Sequence, residues 1–330
     1  MAMDSMAVQS TVFLNVVNVV AILVFVVASA AFTTWVERRM LGIWQDRCGP
    51  NRVGPFGLLQ VVADMIKLLW KEDWIPPFAD KFVFVIAPCI AMFVVVAAFA
   101  VIPVAPGIGV VDLNVGVLFF LAMTSLAVYA VMFGSYASDN KYALLGGIRA
   151  AAQMVSYEVF MGMSLMGVVM ITGTFNLREI VYAQQDGWFF IPQFVGMFIF
   201  FIASIAESHR TPFDLPEAEH ELCAGFHTEY SGMKFGMFFI GEYVSVILTS
   251  AMMVVLFFGG WLGPEFLSPW VPPIFWFLLK TSLLVLFMIL VRGSLPRPRY
   301  DQLMAFGWKA MLPLAMANLV VTAAVILIRA

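Results

Sequence analysis

The chain has 330 residues, of which 62% are hydrophobic and 12% charged, with a formal net charge of −3 and a mean hydropathy of +0.94. Soluble domains carry about twice that charged fraction, so the composition excludes one and indicates an all-α protein that crosses a membrane many times. The net charge is too small to indicate a nucleic-acid-binding surface or a basic patch for membrane surfaces.

No Lys or Arg precedes Arg38, and the first apolar run, 11–36, is longer than a signal-peptide core. It is therefore read as a retained transmembrane helix. WVERRM puts Glu37, Arg38 and Arg39 at its end, where cations are ordinary interfacial anchors and Glu37 has a neighbouring Arg as its simplest partner. A Gly- and Pro-rich turn then leads into 57–71, where Gln60, Asp64, Lys67 and Lys71 recur at i, i+4, i+7 and i+11 as one polar stripe. Leu58, Val62, Ile66, Leu69 and Trp70 fill the remaining surface, which predicts a helix lying in the interface. Such a helix is either a plain connector or, through Asp64 and Lys67, the mouth of a cavity.

Further spans of about 20 residues fall at 81–103, 115–136, 150–173, 188–206, 236–259, 271–292 and 308–328. Together with 11–36 they make eight transmembrane helices in a single integral-membrane domain, 1–330. Apart from Arg178, Lys280 and Arg329, every Lys and Arg lies on the side of the loops that follow helices 1, 3, 5 and 7. The positive-inside rule makes that side cytoplasmic, or a mitochondrial matrix, and puts both termini on the periplasmic side. Neither internal repeats nor the paired broken helices of an inverted-repeat transporter are evident.

Glu158, Glu242 and Lys280 fall within or at the rim of spans, where a charge costs roughly 2.5–3.5 kcal/mol, so each must face a partner or water. A static Glu–Lys pair and a proton path both satisfy that demand. Cys48, Cys89 and Cys223 lack CxxC spacing and read as inert thiols with no disulfide or iron–sulfur role.

The most informative segment is 207–235. It holds the acids Glu207, Asp214, Glu217, Glu219, Glu221 and Glu229, together with Arg210 and all 3 histidines, His209, His220 and His227. Carboxylates crowded beside a membrane repel one another and resist ionisation, which makes them plausible proton carriers. Pro212 and Pro216 fix the chain direction, and Asp214 with Glu217 resembles an N-cap pair, predicting a helix from 215 to about 227. On it Glu217 and Glu221 share a face, so shared protons, Arg210 or another cation must offset their repulsion. Glu217 and His220 form one E-x-x-H pair, but a di-iron bundle needs a second, so no metal site is expected. Dinucleotide and phosphate-loop motifs are also missing, so the chain alone is not a redox catalyst.

These segments also have a family likeness. GPNRVGPFG with ADMIKLLWKEDW, the SYE around Glu158, AESHRTPFDLPEAEHEL with GFHTEYSGMKF and GEY, and RGSLPRPRYDQLMAFGWK resemble the quinone-chamber membrane subunit of respiratory complex I, the proton-pumping NADH:quinone oxidoreductase. The likeness extends from about residue 35 to 325. It implies a subunit that supplies tunnel walls and proton-linked carboxylates, with NADH, FMN and iron–sulfur clusters held by partner subunits and ubiquinone or menaquinone as substrate. The implied partners are the hydrophilic quinone-site and iron–sulfur subunits, small membrane-arm subunits, antiporter-like subunits and lipids.

Carried over by motif, the likeness assigns the quinone channel to Glu37, Arg38, Asp64, Lys67 and Arg299. It assigns proton coupling to Glu158, Glu207, Asp214, Glu217, Glu219, Glu221, Glu229 and Glu242. Ser208-His209 stands where Thr-Asn is frequent in that family, and His220 where a small residue is usual. Lys280 within LLKTS resembles the bacterial type, which implies a bacterial inner membrane. The related subunit of an energy-converting hydrogenase, an independent transporter and a structural anchor remain as alternatives.

Overall fold

A computed structural model describes residues 2–217, 219–264 and 270–329, with side chains from 17 onward except those of Glu219 and His220. The helices, in order, are α1 Ala2–Trp44, α2 Gln60–Trp70, α3 Lys81–Ala98, α4 Gly116–Ala137, α5 Lys141–Thr172 and α6 Leu177–Tyr182, followed by α7 Phe194–Glu207, α8 Glu219–Leu222, α9 Gly232–Phe257, α10 Pro273–Ser294, α11 Tyr300–Phe306 and α12 Leu312–Arg329. A π-helical turn, Gly307–Met311, joins α11 to α12. Among the described residues there are helices and no strand, as expected where backbone groups must be satisfied within the segment.

Among the described residues, seven helices are long and apolar enough to cross a membrane: Val17–Trp44, Lys81–Val101, Gly116–Ala137, Lys141–Thr172, Gly232–Phe257, Pro273–Ser294 and Tyr300–Arg329. Within the segment expected at 188–206 lies a 14-residue apolar helix, α7, preceded by turns from 189 to 193. At 1.5 Å per residue α7 is about 21 Å long, shorter than a hydrocarbon core.

α9 is the most enclosed span, packed by α1, α3, α7 and α10, whereas α1 and α12 are the least. Outward-facing side chains such as Phe25, Phe93, Phe133 and Val320 are exposed, as a lipid-facing surface requires. α5 extends further than its apolar core predicts, beginning at Lys141, where the Asn140 side chain accepts from Tyr142 N at 2.9 Å. Its 32 residues make a rod of about 48 Å. The extra turns pack against α4 and the acidic segment, burying Ala143, Gly146 and Gly147, and bring Arg149 to that segment.

The acidic segment is tied to the bundle at several points. Pro88 inside α3 has no N–H to give to the carbonyl of Phe84. Tyr230 donates its hydroxyl to that carbonyl at 3.3 Å and stacks on the Phe84 ring at 4.1 Å. The buried Gln153 amide of α5 donates to the carbonyls of Ala206, at 2.7 Å, and Phe213, at 2.9 Å, clamping the chain where it leaves α7.

Among the described residues, the helix expected from 215 to 227 is reduced to the single turn of α8. α8 has only 4 residues and is followed by Cys223 and Gly225, both with positive φ. A Cβ at Gly225 would lie 1.8 Å from the carbonyl oxygen of Pro216, and the Gly146 position on α5 abuts the Gly225 backbone. The chain thus doubles back in a space that only a glycine fits. Breaking the helix also separates the carboxylates that a regular helix would have stacked.

Candidate functional site

Residues from α1, α9, α10 and the acidic segment enclose a cavity of about 470 Å³. Its polar lining includes Glu37, Arg38, His209, Arg210, Asp214, Glu217, His227, Glu242, Tyr243 and Arg292. Five of the sequence-predicted residues therefore meet here: Glu37, Arg38, Asp214, Glu217 and Glu242. Glu37 and Arg38 do not mark the end of α1, which continues two turns further to Trp44. That extension raises a wall, so Glu37 points into the bundle rather than into the interface.

Glu37 is 5% exposed and pairs with Arg292 at the end of α10 and with Arg210 at 3.4 Å. The guanidinium of Arg210 also lies over the Tyr243 ring, 3.9 Å from its centroid. Two cations thus converge on one carboxylate, and the balance comes from across the cavity, where Glu217 and Glu242 share a hydrogen bond. Burial is the main reason that the Glu217 carboxyl sits well above its usual range. The charge and hydrogen bond of Glu242 and the charge of Asp214 add to this, against a smaller pull from Arg210. Like-charged carboxyls in contact titrate as a pair, and the bond between them favours the protonated form of Glu217. Asp214 itself is engaged by Arg297 at 2.8 Å.

At the interface, Arg38 binds Asp64 at 2.6 Å, with Gln60 at 3.1 Å and Lys67 at 3.5 Å from the same carboxylate. Partial burial raises the Asp64 pKa, but the bonds from Arg38 and Gln60 and the charges of Arg38 and Lys67 outweigh it and hold it below the usual range. This cluster fastens α2 to α1. Beside it a crevice of about 50 Å³, lined by Ala30, Arg38, Val61, Asp64, Leu68 and Tyr243 among others, separates α1, α2 and α9. The outer face of α2 is open, with Ile66, Leu69 and Trp70 all exposed.

The other expected residues lie elsewhere. Glu221 points away from Glu217 and pairs with Arg149 at 2.6 Å, while Glu229 accepts from Asn140 at 2.7 Å. Glu207, 7% exposed, faces a smaller cavity of about 60 Å³ deeper in the bundle, and Glu158 accepts a hydrogen bond from Ser125. Arg299 is exposed at the start of α11, where its backbone N–H donates to Gln302 at 3.1 Å, and it does not line the cavity. Glu219 and His220 have side chains outside the described residues, and among the described residues no group of three or more His, Cys, Asp or Glu could hold a metal.

Lys280 pairs with neither Glu158 nor Glu242. Its ammonium donates to the carbonyls of Phe258 and Leu262 at 2.6 Å and Gly260 at 3.2 Å, and lies 4.4 Å from the Trp188 ring centroid. A cation at the carbonyl end of α9 is favoured by the helix dipole.

Sequence reading underweighted Arg292 and Tyr243. Arg292 looked like one topology anchor among many, and only the packing of α10 against α1 shows that it faces Glu37. Tyr243 could have been found from its place beside Glu242 in GEY. His209 and His227 are both neutral near pH 7. Burial is the main cause, with His227 and Arg210 adding to the effect on His209, and it pushes each imidazole down to about 4.

A family model described as NADH dehydrogenase matches residues 17–323. A curated relative from Methylococcus capsulatus, named as a subunit of NADH-quinone oxidoreductase, is 65% identical over 307 residues, covering 93% of this chain and 96% of that protein. A match that spans nearly every helix and the whole acidic segment leaves one assignment: the chain belongs to the NADH dehydrogenase family.

Proposed function

We propose that this chain is the membrane subunit of a proton-pumping NADH:quinone oxidoreductase that forms the quinone channel and couples quinone reduction to proton movement. The relative named as a subunit of such an oxidoreductase supports the assembly, and the likeness of motifs supports partners that hold NADH, FMN and the iron–sulfur clusters. In this reading the chain is one membrane domain in a bacterial inner membrane. α7 with its preceding turns makes the eighth crossing, the cation-rich loops are cytoplasmic and both termini are periplasmic. The clustering of Arg38, Asp64, Arg149, Glu221, Arg297 and Asp214 at one end of the bundle supports a common side for those loops.

Ubiquinone or menaquinone would enter from lipid through the crevice between α1 and α2 and present its head group to the 470 Å³ cavity, on the way to a donor in a partner subunit. The observation that carries the coupling is the hydrogen-bonded Glu217–Glu242 pair, which lies in the same cavity as Arg210, Glu37 and Arg292. Reduction of quinone adds electrons and draws protons, so it changes the field at a pair already poised between protonation states. Glu207 and Glu158 continue the polar path into the bundle.

Glu217→Gln keeps the size and one hydrogen bond but cannot ionise. In the assembled complex reconstituted in proteoliposomes, it should slow quinone-linked NADH oxidation and proton uptake together, at least about tenfold. Unchanged turnover and pumping in a fully assembled Gln variant would refute the coupling role.

A further inference from the structure

The two cavities share a wall. His209, Phe238 and Glu242 line both the large acidic cavity and the 60 Å³ inner one, whose other polar lining is Thr124, Glu207, Ser208 and Ser245. His209 is 6% exposed, yet neither of its ring nitrogens meets a hydrogen-bonding partner among the described residues. The Oε2 atom of Glu207, in the inner cavity, is likewise buried without a partner among those residues. Buried polar atoms are satisfied almost without exception, by protein or by ordered water. The inner cavity is mainly apolar, but Thr124, Glu207, Ser208, His209, Glu242 and Ser245 give it hydrogen-bonding groups, and its volume exceeds what one water needs.

Glu242, the other polar group in the wall, is occupied by Glu217. The spare hydrogen-bonding capacity between the cavities therefore belongs to the imidazole. Being neutral at pH 7, it offers one N–H donor and one acceptor nitrogen, which lets it bind a water in each cavity at once. Facing it are Glu207 and Arg210 on its own segment, His227 from the turn after α8, and Glu217, Glu242 and Glu37 around the large cavity.

We infer that His209 is a water-binding positioning residue that bridges the two cavities and gives Glu207 its connection to the solvent of the acidic cavity. This rests on the coupling role proposed above and adds a specific hydrated link to it. The requirement is a side chain with a donor and an acceptor. Asn meets it and Leu does not.

The test is hydrogen–deuterium exchange of the Glu207 carboxyl, followed by infrared spectroscopy on the assembled complex, with E207Q identifying the band. H209L should slow that exchange at least about tenfold while H209N keeps it within about threefold of the parent, since only the amide can hold both waters. A merely space-filling role would leave exchange unchanged in an assembled H209L complex, and that result would overturn the inference. Should H209L fail to assemble, H209T, whose single hydroxyl is too short to reach both cavities, gives the same two outcomes. E217Q separates the two ideas. Unimpaired pumping in E217Q defeats the coupling role whatever the exchange shows, and normal exchange in H209L defeats the bridge alone.

Discussion

At the residue scale, the cavity is a charge balance in which each member restrains another. Glu37 sits between Arg210 and Arg292, so Glu37→Gln leaves two cations facing each other. Removing one partner of a buried ion pair costs about 3–5 kcal/mol, and the low end applies because Arg292 is one-third exposed. The expected outcome is a lower melting temperature of the assembled complex, with Glu37→Asp intermediate. The histidines predict a pH dependence of the opposite kind to a salt bridge. Their folded pKa of about 4 lies below the unfolded value of 6.5, so the unfolded segment binds more protons between these values. Stability is full above pH 6.5 and is lost as the pH falls through that window. Proteolysis of the acidic segment should accelerate on acidification from pH 6.5 towards 4 in the parent, and less so in a complex carrying His227→Gln.

At the element scale, the acidic segment is held by shape as much as by charge. A methyl group at Gly225 would collide with the Pro216 carbonyl, and its φ of +64° is unfavourable to other residues. Gly225→Ala should therefore displace Glu217 from Glu242 and reduce turnover, whereas the same change at Gly173, whose Cβ position is open, should cost only about 1 kcal/mol for its left-handed backbone. Quinone-linked turnover and melting of both complexes check this. The sequence showed that this loop matters, because six acids in an oily chain cannot be scaffold alone. It could not show the loop's path. Helical spacing put Glu217 beside Glu221, and only the reversal at Gly225, forced by contact with α5, sends one inward to Glu242 and the other outward to Arg149. α7 is shorter than its apolar run for a related reason. Hydropathy registers the run from 188, but not the turns at its start.

At the scale of the whole molecule, long apolar helices surround one enclosed helix, α9, which carries Glu242 and Tyr243 into the centre. Apolar runs made the class and the spans legible in the sequence. The meeting of α1, α9, α10 and the acidic segment around one cavity was not, since it depends on packing between residues as distant as Glu37 and Arg292. α2, fastened by Arg38 to Asp64, bounds the crevice, which shares Arg38 and Tyr243 with that cavity. Asp64→Ala should loosen it and raise the KM for quinone more than it lowers kcat, as measured on the assembled complex with quinones of different tail length. The central claim is that the proton held by Glu217 and Glu242 responds to quinone chemistry. Redox-induced infrared difference spectroscopy of the intact complex measures this directly. A protonated-carboxyl band that shifts on quinone reduction and disappears in Glu217→Gln is the expected result, and a spectrum in which no carboxyl band responds to reduction, or in which the responding band survives that substitution, would contradict it.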